Sequence, residues 1–267
     1  YLKKYLHVYI DSMPFQKIEP DRVAESVITQ IEQLILRGII RPGERLPSER
    51  DLADRLGVSR PSLREAISSL QERGLLTTKA NSGIFVEELL GAPFTPSLTE
   101  LFSTHDEAVF DYISFRSDLE GMAAERAANL GSETDLKVIQ AIFDKMQIAH
   151  DNKNSSEEAS LDAQFHMAII EASHNVFLLH MVRSMFEMLK RGVFYNRQIM
   201  FSRNTTRSAL LDQHKAICNA IQNRNAKAAR KAVEDHMGFI KTCMQEVKKA
   251  EANEEIAKLR LDHTNTI

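Results

Sequence analysis

Residues 41–86, RPGERLPSERDLADRLGVSRPSLREAISSLQERGLLTTKANSGIFV, constrain the fold most tightly, because residues that start and stop helices recur there at short intervals. Pro42-Gly43 makes a turn and Pro47 ends an extended segment. Ser48 can N-cap a short helix, with Asp51 three residues on in a capping-box-like arrangement. Gly57 stops that helix, since the tight turn to the next one needs a left-handed residue. Ser59 caps a second helix, Pro61 is tolerated in its first turn, and Gly74 ends it. Leu63, Ala66, Ile67 and Leu70 recur at i, i+3, i+4 and i+7 and form one buried stripe. The opposite face opens with Arg60, Ser62 and Arg64. Two arginines and a hydroxyl at the start of an exposed helix suit the major groove of duplex DNA, where base edges carry distinct hydrogen-bond patterns. The stretch predicts a helix-turn-helix followed by a β-hairpin wing.

Charge supports DNA binding only locally. The chain carries 34 basic and 37 acidic residues, a formal −3. Residues 41–80 instead hold eight basic groups (Arg41, Arg45, Arg50, Arg55, Arg60, Arg64, Arg73, Lys79) against six acidic ones, giving +2. A regulator needs positive potential only on its DNA face. Arg50, Arg60 and Arg64 gather at the expected docking edge, whereas Arg55 and Arg73 fit solvated helix faces. Glu49, Asp51 and Asp54 can sit on the side turned away. At the wing tip, Lys79-Ala80-Asn81-Ser82-Gly83, Lys79 is the expected phosphate contact.

A chain of 267 residues is too long for one winged helix, so two domains are expected. Apolar residues at 43% with only 10 glycines and 7 prolines indicate a helix-rich chain with a sizeable core. Cys218 and Cys243 read as small apolar residues in a reducing compartment rather than a disulfide frame. The apolar run from Val176 to Phe194 is interrupted by Arg183, Glu187, Lys190 and Arg191, so a core helix is expected there and not a membrane span. The N-terminal YLKKYLHVYIDSM lacks the apolar run and cleavage site of a signal peptide.

The expected fold class is mainly α: a winged helix-turn-helix, then an all-α antiparallel bundle of about six to seven helices. The expected division is an extension at 1–17, a DNA-binding domain at 18–88, a linker at 89–97, a helical domain at 98–252 and a charged tail at 253–267 that frays. Within the bundle, Thr104 is the expected cap of a helix to about Leu130, and Ser132 with Asp135 caps the next. Further helices are expected near 157–172, 175–201, 205–224 and 226–252.

Four residues of the second domain have metal-ligand spacing. Asp162 and His166 lie at i and i+4 and project from one helix face. His214 and His236 fall on two later helices. Imidazoles with one carboxylate suit a divalent ion, zinc first, with nickel or manganese as alternatives.

Residues 20–250 resemble the GntR family of bacterial transcription regulators. In the first domain the resemblance rests on Pro42-Gly43, Leu46-Pro47-Ser48-Glu49-Arg50, Leu56-Gly57-Val58-Ser59-Arg60, Leu63-Arg64-Glu65-Ala66 and Gly74-Leu75-Leu76. The tip departs from the pattern, since such wings usually carry a run of glycines and only Gly83 is present. The second domain resembles the FCD effector domain of the FadR-type subfamily through Arg116-Ser117-Asp118-Leu119-Glu120, Leu161-Asp162-Ala163-Gln164-Phe165-His166, Ala172-Ser173-His174-Asn175, His214 and Asp235-His236. The resemblance implies a metal held by Asp162, His166, His214 and His236, and is nearest to regulators of glycolate and lactate utilisation.

It further implies a cytoplasmic homodimer on a palindromic operator, with a small carboxylate effector at the metal. Arg116 is the expected second anchor for that carboxylate, against the alternative of an ion pair with Glu120 one turn away. Asn175 either caps a helix or faces the effector, and His174 is structural rather than a fifth ligand. The competing class is a metal-dependent hydrolase-like enzyme. No H-E-x-x-H, G-x-S-x-G or G-x-x-x-x-G-K is present, and no glutamate beside His166 is placed as a general base.

Overall fold

The computed structural model of the chain describes residues 20–80, 82–88, 96–190 and 204–266. The chain divides into two compact units, residues 1–91 and 92–267. Residues 1–17, the linker residues 89–95, Asn81 and the 191–201 part of the expected helix lie outside the described residues.

The first unit is built on three helices and a hairpin. Helix α1 (Pro20–Leu36) buries Ala24, Val27, Ile31 and Ile35, spaced by three and four residues along one stripe. Helices α2 (Glu49–Leu56) and α3 (Arg60–Glu72) form the expected pair. Ser48 Oγ accepts from the Asp51 amide at 3.2 Å and donates to Asp51 Oδ2 at 2.8 Å. Gly57 ends α2 at φ 65°, where a side chain would be strained. Ser59 Oγ accepts from the Ser62 amide at 3.3 Å and starts α3. Leu63, Ala66, Ile67 and Leu70 are all buried, as the spacing predicts.

Strands β1 (Leu76–Lys79) and β2 (Gly83–Val86) pair antiparallel in the register Leu76 to Val86 and Lys79 to Gly83. Arg45 bridges to Phe85 on the free edge of β2, where the Leu46 amide donates to Ile84 O and the Val86 amide to Glu44 O. The wing thus gains a third extended segment from the turn that precedes α2.

The second unit has seven helices among the described residues: α4 (Pro96–Thr104), α5 (Asp106–Leu130), α6 (Glu133–Asp151), α7 (Ser155–Ala172), α8 (Val176–Lys190), α9 (Asn204–Gln222) and α10 (Ala226–Thr266). Helix α5 packs along α10 and also meets α7 and α9; α6 packs on α7 and α9. Phe143, Phe165, Ile139, Ile169, Ile217, Ile221 and Met237 fill the interior, each no more than 4% exposed. Burying a side chain such as Phe165 contributes about 1.5–3 kcal/mol. No helix of the described residues is long and apolar enough to cross a membrane.

Two local expectations change. Thr104 does not cap α5: its hydroxyl donates to Glu100 O and Leu101 O at the end of α4, and His105 is the N-cap residue. The segment after Ala250 is helical, because α10 continues through it, exposed, to Thr266. Glu, Ala, Lys, Leu and Arg dominate that segment, all good helix formers, and Glu254 meets Lys258 one turn on at 3.7 Å.

Ser132 and Asp135 form a full capping box on α6: Ser132 Oγ accepts from the Asp135 amide, and Asp135 Oδ2 accepts from the Ser132 amide at 2.7 Å. Partial burial alone would raise the Asp135 pKa, but the Ser132 bonds and His174 hold it below its ordinary value. Its contribution to stability is complete above the unfolded carboxyl's pKa and is lost as the pH falls through the lowered one. Ser132→Ala is expected to destabilise the unit by about 1 kcal/mol at neutral pH. Calorimetry should show a midpoint lower by about 2–4 °C, with a smaller difference in acid.

Candidate metal centre and DNA-reading face

Helix α7 explains why a metal-ligand set sits in an apolar bundle. Its buried stripe reads Glu158, Leu161, Asp162, Phe165, His166 and Ile169, so carboxylates and an imidazole occupy core positions at helical spacing. Asp162 and His166 project from α7, His214 from α9 and His236 from α10; the imidazoles are at most 1% exposed and Asp162 is 3% exposed. One ligand atom from each of the four lies within 4.8 Å of all the others. His214 Nε2 is 3.4 Å from His166 Nε2 and 3.0 Å from Asp162 Oδ1. Tetrahedral ligands at about 2.1 Å from a shared ion stand about 3.4 Å apart. The rings are closely packed, with centroids 4.5–5.4 Å apart, and the edge of Phe165 closes one side against His214 at 5.3 Å.

The outer nitrogens are all engaged. His166 Nδ1 meets Glu120 Oε2 at 2.6 Å, His214 Nδ1 meets Leu210 O at 2.7 Å, and His236 Nδ1 meets Gln213 Oε1 at 2.9 Å. Acceptors at Nδ1 of His214 and His236 favour the tautomer with Nδ1 protonated and the Nε2 lone pair inward, the arrangement metal-ligating histidines adopt. The Glu120 carboxylate stands at the same place beside His166. His236 Nε2 is buried and has no hydrogen-bond partner among the described residues. An orphaned, inward lone pair beside a carboxylate fits a divalent ion. Burial pushes the His236 pKa well below its ordinary value, reinforced by His214 and His166, so this imidazole is neutral as a ligand must be.

Arg116 and Glu120 sit on α5 beside this cluster. Arg116 is 4% exposed, and its Nε donates to Glu120 Oε1 at 2.6 Å. Burial opposes both charges, yet each overcomes it through the other: the Arg116 pKa is raised and the Glu120 pKa is held at about 2. The sequence-level alternative for Arg116, pairing with Glu120, is therefore present in the fold, and the pair continues to His166. The His166 pKa is raised, with burial opposing and Glu120 and Asp162 prevailing. Asn175 Oδ1 accepts from the Leu178 amide at 3.1 Å, the capping alternative for that residue. His174, at φ 50°, is exposed and pairs with Asp135 at 2.9 Å, away from the cluster.

Sequence reading missed three participants. Glu120 appeared only as a partner of Arg116, and Gln213 carried no signal beyond its place before His214. Glu158 had one, since it lies one turn ahead of Asp162 on the same stripe. It accepts from Arg207 Nε at 2.9 Å, and Arg207 Nη2 also donates to His150 O at 2.9 Å. Glu158, Arg207, Met146, Leu211 and His214 line a cavity of about 10 Å³.

On the first unit Arg50, Arg60 and Arg64 are exposed and Ser62 is half-buried. The Ser62 hydroxyl shares a 2.9 Å hydrogen bond with Ser59 at the cap of α3. Glu49 does not face away: its Oε2 holds Arg64 Nε at 2.7 Å, across the turn between α2 and α3. Lys79 lies exposed on β1.

Comparison with known proteins agrees with both halves. Residues 23–86 match the family model of bacterial regulatory proteins, gntR family, and residues 111–239 match the FCD domain. The chain is 34% identical over 234 residues to the Glc operon transcriptional activator of Escherichia coli (strain K12), covering 86% of this chain and 92% of the relative. It is 31% identical over 223 residues to the Uxu operon transcriptional regulator of the same strain, covering 82% and 86%. A solved structure, Streptococcus agalactiae GntR, shares the fold at a TM-score of 0.50 and 22% identity, over 82% of this chain and 99% of that one. A winged DNA-reading unit followed by a helical domain with a buried His/Asp cluster defines a class of transcription regulator. This chain belongs to the gntR family, in its FadR-type branch with an FCD domain, and is a transcription regulator rather than an enzyme.

Glu120 is the side chain whose loss tests the outer shell. Removing a group that orients a metal-ligating histidine typically costs about 10–100-fold in metal affinity. Glu120→Gln is expected to weaken zinc binding by that factor, read by competition with a chromophoric chelator.

Proposed function

We infer that this regulator binds a palindromic operator as a cytoplasmic homodimer and senses a small 2-hydroxy or 2-oxo acid at a divalent metal held by Asp162, His166, His214 and His236. The observation that carries the sensing half is the convergence of three Nε2 atoms and one carboxylate within 4.8 Å in a buried core. Four protein ligands on a zinc-like ion leave room to expand the coordination by an anionic oxygen. Arg116 lies beside the cluster through Glu120, and its guanidinium matches a carboxylate bidentately. Taking up an acid would draw Arg116 partly away from Glu120, and Glu120 orients His166. Effector and metal ligand are thereby linked through one carboxylate.

The cavity beside His214, at about 10 Å³, holds roughly one water, so an organic acid entering there has to displace side chains. That displacement is the physical basis for a change of state. To move operator occupancy from 1:99 to 99:1, the acid must prefer one state by about 5.5 kcal/mol. One relative is an operon activator, so the acid acts here either by activation or by relief of repression.

Calorimetric titration of glycolate, lactate and pyruvate into zinc-loaded protein tests the sensing half. Arg116→Ala is expected to weaken binding by about 1.5–3 kcal/mol, the range for a hydrogen bond to a charged group. Equal affinities in the two proteins would confine Arg116 to its pairing with Glu120. No binding by any small carboxylate would remove the effector. His214→Ala with His236→Ala should lose the ion, seen by elemental analysis.

The DNA half rests on Arg50, Arg60, Ser62 and Arg64 around the start of α3, with Lys79 on the wing. Arg60→Ala and Arg64→Ala are each expected to cost about 1–3 kcal/mol of operator affinity, measured by fluorescence anisotropy at fixed salt. An unchanged thermal midpoint should accompany that loss.

A further inference from the structure

Two exposed cations, Arg45 and Lys79, share the outward face of the wing with Phe85. Thr77 pairs with Phe85 and Lys79 with Gly83, while Arg45 bridges to Phe85 from the opposite edge. Residues directly opposite in a ladder share a face, and faces alternate along each strand. The other face is the buried row of Leu76, Ile84 and Val86. Arg45, Phe85, Thr77, Lys79 and Gly83 therefore occupy one outward surface.

Lys79 is held by the ring, and the Arg45 side chain lies against the tip. Lys79 Nζ stands 4.7 Å from the Phe85 ring centroid, within cation–π range. Arg45 lies across the tip: a Cβ built on Gly83 would stand 2.9 Å from Arg45 Nε and 3.3 Å from its Nη2. Gly83, at φ 104°, thus supplies a backbone conformation other residues avoid and the gap that seats the guanidinium. Neither cation forms an ion pair with a carboxylate among the described residues. Side chains already laid out lose less conformational freedom on docking than free ones.

We propose that Arg45 and Lys79 clamp the sugar-phosphate backbone of DNA across the Phe85 ring, so that this glycine-poor wing grips the duplex through side chains. The clamp rests on the DNA-binding role of the first unit and gives Arg45 a function in it. Two cations on one face with an aromatic residue between their strands match a run of phosphates, which position a protein on DNA without reading its sequence. They also account for a wing that works with a single glycine at its tip.

The test is anisotropy of the full-length protein on a fluorescein-labelled duplex of arbitrary sequence, across a series of salt concentrations. Each phosphate neutralised adds about 0.9 to the slope of log K against log salt. Arg45→Gln and Lys79→Ala should each reduce the slope by about 0.9 per engaged wing, about 1.8 for a dimer with both wings on the duplex, and the double variant by twice as much. The reductions should be equal on a second, unrelated duplex, and Arg45→Lys should keep most of the slope. Unchanged slopes in both single variants, with wild-type thermal midpoints, would overturn the clamp while leaving DNA binding intact. If Arg45→Gln lowers the midpoint, Lys79→Ala alone carries the decision, because Lys79 is exposed on the rim of β1. Wild-type protein that binds no duplex at any salt would overturn the DNA-binding role itself.

Discussion

The buried pairing of Glu120 with both Arg116 and His166 is the interaction on which the second unit depends. An unpaired carboxylate or guanidinium in an apolar bundle is not tolerated, and removing one partner of a buried pair costs about 3–5 kcal/mol. Glu120 settles three positions at once. It neutralises Arg116 on its own helix, ties α5 to α7 through His166, and turns the inner nitrogen of that imidazole toward Asp162 and His214. Helices α9 and α10 then close the cluster with His214 and His236, each fixed by its own acceptor. The core of this domain is therefore polar at its centre and apolar around it, and both parts select the same packing.

Much of this was legible in the residues. The caps at Ser48, Ser59 and Ser132 and the stop at Gly57 are local chemistry, decided within one turn of chain, and a sequence shows them directly. Of the four inner ligand residues, Asp162 and His166 were legible as a pair because i and i+4 share a helix face. His214 and His236 were singled out by the family resemblance, since His150 and His180 also lie in helical runs. What spacing does not carry is which distant group meets which. The Gln213 contact to His236, the Glu158 pairing with Arg207 and the Glu49 grip on Arg64 all depend on how helices cross, which no local pattern encodes. Glu120 fell between the two cases. Its neighbour one turn away was visible, and its second partner was not.

Charge is distributed to match the two tasks. The chain as a whole is slightly acidic, yet the exposed edge of α3 and the outward face of the wing carry arginines and a lysine. The acidic groups nearby are partly committed: Glu49 to Arg64, and Asp51 to the cap of α2. Such surface pairs contribute little to stability, on the order of 0–1 kcal/mol. Their effect is on where an arginine points before DNA arrives. A regulator that has to release its site is well served by modest, local positive potential, since a strongly basic surface would hold it on every sequence.

The burial of the donor cluster has a kinetic consequence separate from affinity. No imidazole of the cluster is more than 1% exposed, and the cavity beside His214 is about 10 Å³. An ion seated among them would meet a chelator, or an acid, from solution only when the side chains and helices around it give way. Exchange would run at the rate at which α7, α9 and α10 part, the same rate for a weak or a strong chelator. Occupancy would then record the metal available when the chain folded, on a timescale set by the opening of the bundle rather than by the free ion.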